Sequence, residues 1–132
     1  DAEPVRIKQF EVAMNKINTF CGPRSLIVAG DLNSDFVAKY SKAGLPAQFS
    51  KYGLSNVAEK FGKQRQQTYN GWHESVFDYI LTRDIAADSF YVPETNEKTP
   101  NAQQPSDHLP VTATFTCAGH QDYTQSIMSY EM

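Results

Sequence analysis

The chain has 132 residues, 40% hydrophobic and 20% charged, enough apolar material for one domain with a real core and too much for a disordered chain. A formal charge of −3 excludes holding a polyanion by phosphate neutralisation alone, so a metal ion or a local basic patch would have to supply the attraction. No apolar run approaches a membrane span, and no signal peptide is visible in an N-terminus that reads as cut.

Pro4 opens an amphipathic helix with Ile7, Phe10, Ala13, Met14, Ile17 and Phe20 at three- and four-residue steps, and Gly22-Pro23 ends it. The run from Ser25 to Ala29 then reads as a buried strand that stops at Gly30-Asp31-Leu32-Asn33. In an α/β sheet, ligands gather beyond the carboxyl ends of strands. Asp31 and Asn33 are therefore expected at a site, with Leu32 turned into the core and Gly30 making the tight turn. Asp35 is placed to cap a short helix through Ala43, closed by Gly44.

The stretch from Phe49 to Phe61 reads either as a second helical segment or as irregular surface, and mixed structure is the expectation. Thr68-Tyr69-Asn70-Gly71 reads as a short strand and turn, and 76–82 as a buried strand that carries an acid, Asp78, among apolar residues. A shorter strand follows at 89–92. A polar loop from Pro93 to Pro105 then brings the chain back to Ser106-Asp107-His108, just ahead of an alternating strand over 111–117. The expected class is α/β (α+β), a sheet covered on at least one face by helices, with residues 1–117 as the folded unit and 118–132 as a tail. Cys21 and Cys117 are too few for a zinc site; they read either as a disulfide at the pole opposite the candidate site or as two free, half-buried thiols.

Singly, Asp31 and Asn33 read as a turn, Asp78 as an edge residue, and Asp107-His108 as a solvated loop. Together, Gly30-Asp31-Leu32-Asn33, Phe77-Asp78-Tyr79-Ile80 and Ser106-Asp107-His108-Leu109-Pro110-Val111 resemble, in order and spacing, the motifs of the endonuclease/exonuclease/phosphatase (DNase I-like) family. The Arg6-x-x-Gln9 helix and the Thr68-Tyr69 pair are similar too. The resemblance runs from Arg6 to about Thr116 and matches only the second half of that fold. It implies a four-layered α/β sandwich in which this chain supplies one sheet and its helices. The missing N-terminal half, with its metal-holding glutamate, would come from the same or a separate chain.

The family hydrolyses phosphoesters with a divalent ion, usually Mg²⁺, with Mn²⁺ or Ca²⁺ as alternatives. By that resemblance, Asp31 orients the attacking water, Asn33 donates an amide to the phosphate, and His108 contacts a non-bridging oxygen. Asp78 orients His108 and raises its pKa, and Asp107 is a carboxylate on the metal side or one that supports a metal ligand from behind. Trp72 and Tyr69 lie where the family often carries substrate-contacting residues, although Tyr69 also reads as core. His73 and His120 read as plain surface, and Ser34 as a residue that helps order its loop without a catalytic role. Lys60, Lys63 and Arg65 read as a solvated charged run that could also guide a polyanion.

The leading expectation is a metal-dependent phosphodiesterase acting on nucleic acid. One alternative is a sphingomyelinase or inositol-phosphate phosphatase of the same family. The other is a catalytically silent half-domain that waits for its N-terminal partner segment.

Overall fold

A computed structural model gives the structure of residues 2–36 and 43–117. The expected cap-and-helix at 35–43 falls largely outside those residues, as does the tail from 118 onward. In chain order the elements are helix α1 (Glu3–Cys21), strand β1 (Leu26–Asp31), a 3₁₀ helix (Leu45–Tyr52), β2 (Ser55–Asn56) and α2 (Val57–Lys60). They are followed by β3 (Tyr69–Asn70), β4 (Glu74–Ser75), β5 (Asp78–Arg83), β6 (Ala87–Tyr91) and β7 (Thr112–Phe115). The mixed structure expected over 49–61 is therefore the end of a 3₁₀ helix, a two-residue strand and a single helical turn.

Pro4 starts α1, where its missing N–H removes no helical hydrogen bond, and Gly22 closes it at φ 59° with its amide on the Asn18 carbonyl at 2.9 Å. Phe10 and Met14 are buried on its inner face, with Ile7 and Ile17 packed beside them. Phe20, expected to continue that stripe, is 87% exposed. The last turn docks through a polar contact instead: the Arg83 guanidinium donates to Asn18 Oδ1 at 2.6 Å and to the Gly22 carbonyl at 3.2 Å.

The fold is mixed α+β, built from small antiparallel sheets. β5 lies between β1 and β2, while β3 pairs with β4 and β6 with β7. The middle position of β5 explains why 79–82 read as a nearly continuous apolar run: successive side chains alternate faces, and both faces are covered. Tyr79 and Leu81 join Phe10, Met14, Leu45, Phe49 and Leu54 under α1 and the 3₁₀ helix. Ile80 joins Val57 and Ala87 on the other side, against Val111, Ala113 and Phe115. Aromatic edges tie the first cluster together, with the Phe49 and Tyr79 ring centroids 5.3 Å apart and Phe10 and Tyr52 5.5 Å apart.

Strand β1 is covered on one face only. Leu26 and Val28 pack half-buried toward α1, whereas Ile27 is 44% exposed and Ala29 is also exposed. At the pole away from the candidate site, Cys21 is half-buried and Cys117 exposed, and both thiols are free.

Candidate active site

The expectation of a site at the carboxyl ends of strands assumes parallel neighbours, and the strands here are antiparallel. The site forms for another reason: Asp31 is the last residue of β1, Asp78 is the first of β5, and the register sets them opposite each other. The Leu32 amide donates to the Phe77 carbonyl at 2.9 Å, so the adjoining Asp31/Asp78 pair is the non-hydrogen-bonded type, with Cα atoms about 4.5 Å apart and both side chains on one face. Two carboxylates facing each other across a ladder repel. Each has donors of its own.

Asp31 Oδ1 accepts the backbone amide of Asn33 at 2.8 Å. That bond closes a tight turn in which Asn33 takes a left-handed φ of 55°, a conformation asparagine tolerates better than most residues. The turn thus falls at Asn33, and Gly30, assigned that role from the sequence, is a paired strand residue opposite Tyr79. Leu32 packs half-buried against the core, as expected.

Asp78 is held by Thr68. The buried Thr68 hydroxyl donates to Asp78 Oδ2 at 2.8 Å and accepts the amides of Phe77 at 3.0 Å and Asp78 at 3.1 Å. Asp78 is therefore a fixed residue of a central strand and not an edge residue.

His108 arrives from a different part of the chain. The Asn70 amide donates to the Asp107 carbonyl at 2.8 Å and the Leu109 amide to the Thr68 carbonyl at 2.7 Å, so β3 clamps the segment 107–109 in place. His108 Nδ1 then lies 2.8 Å from Asp78 Oδ2, and Nε2 lies 3.7 Å from Asp31 Oδ2. Burial pushes the imidazole pKa down. The Asp78 hydrogen bond and charge, followed by the charges of Asp31 and Asp107, more than reverse this, so the pKa is raised above that of a free histidine.

Tyr69 braces the same ring. It is buried, its centroid is 5.2 Å from His108 in an edge arrangement, and it also touches His73 and Phe77. Its hydroxyl accepts the Trp72 amide at 3.3 Å. A Cβ at Gly71 would stand 2.5 Å from that hydroxyl and 3.2 Å from Asp107 Cβ, so only glycine lets this loop pass between the two. Trp72 is 92% exposed beside this packing and offers the wider aromatic surface. His73 is exposed, as expected of a surface residue, with its ring on Tyr69 and Phe77. His120 lies outside the described residues. Of the basic run, Lys60 donates to the Ala87 carbonyl at 2.6 Å, while Lys63 and Arg65 are exposed.

Of the residues singled out from the sequence, Asp31, Asp78 and His108 meet, with one ligand atom from each within 4.8 Å of the others. Asn33 is attached to the group through its turn. Asp107 lies outside that close set, although its charge acts on His108.

The cluster could hold a metal ion, and its donor chemistry fits one. Two carboxylates supply hard oxygen ligands, and Asp78 Oδ2 is already shared by Thr68 and His108, so the half-exposed Asp31 carboxylate is the more available. In the sequence Thr68 stands out only as part of a short strand and of the resemblance, and nothing marks Glu3. A hydroxyl ten residues before the acid it orients leaves no periodic signal. No helix among the described residues is long and apolar enough to cross a membrane. No protein-family model matches the chain, and no curated protein matches its sequence.

Proposed function

We propose that the rim bearing Asp31, Asp78 and His108 is the phosphate-handling side of a metal-dependent phosphodiesterase of the endonuclease/exonuclease/phosphatase type, acting on nucleic acid. The observation that carries this reading is one imidazole held between two carboxylates, 2.8 Å from Asp78 and 3.7 Å from Asp31.

Asp78, itself fixed by Thr68, sets the ring orientation of His108 and favours its protonated form. Nε2 then presents a proton toward a non-bridging phosphate oxygen, where negative charge collects in the transition state. Asp31 orients the attacking water and takes its proton. The Asn33 side chain, delivered by the tight turn, adds an amide donor. Asp31, with Asp107 near the same corner, suits Mg²⁺, with Mn²⁺ or Ca²⁺ as substitutes; such an ion would draw charge from the phosphate oxygens. Trp72 favours nucleic acid over a lipid or inositol phosphate, because an exposed indole near the site offers a face on which a base can stack.

Supercoiled plasmid incubated with the chain and Mg²⁺ should be nicked. EDTA should abolish the nicking, and His108→Ala should slow it by a factor on the order of 100 or more. Release of phosphocholine from sphingomyelin vesicles without nicking would move the reading to a lipid substrate. A second reading, in which the chain is silent until a further segment of the fold joins it, is favoured by the uncovered face of β1 at Ile27 and Ala29. Plasmid cleavage by the chain unaided would discard that second reading.

A further inference from the structure

The mechanism leaves a buried carboxylate unused. Glu3, in the first turn of α1, is 4% exposed, although nothing about a helix start requires a carboxylate to be buried. Its Oε1 accepts the Ser34 hydroxyl and, at 2.6 Å, the Leu45 amide, while Oε2 lies 3.0 Å from the Arg6 guanidinium. Ser34 is fully buried and directly follows Asn33. Its carbonyl accepts the hydroxyl of Tyr79, a core residue of β5. Ser34 is thus gripped at its hydroxyl and its carbonyl, and the turn that presents Asp31 and Asn33 is anchored at its downstream end.

We propose that Glu3 is a positioning residue, whose carboxylate fixes the Asp31–Ser34 turn against helix α1 and so holds Asp31 in place beside His108. This rests on the phosphodiesterase reading above for its catalytic consequence but not for its structural one. Burial raises the Glu3 pKa, but the Leu45 amide, the Ser34 hydroxyl and Arg6 together bring it below the usual value, so the acceptor is ionised at neutral pH. An ionised acceptor makes stronger bonds than a neutral one, and it is costly to replace with a group that accepts nothing.

Amide hydrogen exchange and hydrolysis of bis(p-nitrophenyl) phosphate with Mg²⁺, both on the full 132-residue chain, test this together. Glu3→Ala should raise exchange at the amides of 33–36 by roughly tenfold or more while the β5 amides of 79–81 stay within about twofold of the native chain. It should cut kcat by roughly tenfold or more with KM little changed, because the turn matters to the transition state and not to ground-state binding. Glu3→Gln, which keeps an acceptor for Ser34 and Leu45, should restore kcat to within roughly threefold. Ser34→Ala, a smaller lesion should Glu3→Ala fail to fold, should give the same local exchange pattern.

Exchange that rises uniformly along the chain, or not at all at 33–36, overturns the proposal. So does an unchanged kcat in Glu3→Ala. If the native chain hydrolyses nothing, the phosphodiesterase reading suffers and the exchange pattern alone still decides whether Glu3 holds the turn.

Discussion

A histidine between two aspartates is first of all a charge device. The Asp78 hydrogen bond, the Asp78 charge and the charges of Asp31 and Asp107 stabilise imidazolium against the opposing effect of burial, so the folded-state pKa of His108 is raised. The unfolded value is about 6.5. Folding therefore favours the proton, and the stability this pair contributes is full below the unfolded pKa and is lost as pH rises through the raised folded one. Activity that needs protonated His108 should follow the same limb: kcat should hold past the pH at which a free imidazole titrates and then fall. Asp78→Asn, which removes the charge, should move that fall to lower pH in a pH–rate profile. An unmoved limb would show that Asp78 does not set the charge of His108.

At the scale of elements, the three site residues meet because an antiparallel register sets the end of one strand against the start of the next, and because β3 clamps the loop that carries His108. Much of this was legible in the sequence: the helix over 3–21, the strands near 26–31 and 78–83, and the polar residues at their ends. Two things were not. Direction along a sheet leaves no trace in composition, so the antiparallel register that sets Asp31 against Asp78 is not legible there. Contacts such as Thr68 to Asp78 and Glu3 to Ser34, ten and thirty-one residues apart, follow no helical or strand period. The turn was misplaced from Asn33 to Gly30 because glycine is the usual residue there, whereas the Asp31 carboxylate makes asparagine sufficient.

The same layering predicts contrasting stabilities within one sheet. Leu81, 1% exposed in the core under α1, should cost about 2–5 kcal/mol on replacement by alanine, through lost burial and the cavity left behind. Ile27→Ala, on the open face of β1, should cost well under about 1 kcal/mol, since its side chain is already 44% in water. Urea unfolding of both variants checks this. Equal losses would mean that the open face of β1 is covered in solution.

Across the whole molecule, the rim and the core are separable. The core lies under α1 and between β5 and the paired strands β6 and β7, while Asp31, Asp78 and His108 gather at one edge, where they contribute little apolar burial. Changes at Asp31 should therefore act on chemistry with little effect on folding, whereas those at Asp78 or His108 also remove the stability of their own pair. The double-mutant cycle on Asp78 and His108, read as kcat for Mg²⁺-dependent phosphodiester hydrolysis, tests most directly whether they form one unit. The account predicts a large loss for His108→Ala, a smaller one for Asp78→Ala, and a double variant no slower than His108→Ala alone, because Asp78 acts through the imidazole. Losses that multiply, or a His108→Ala chain that turns over normally, would contradict it.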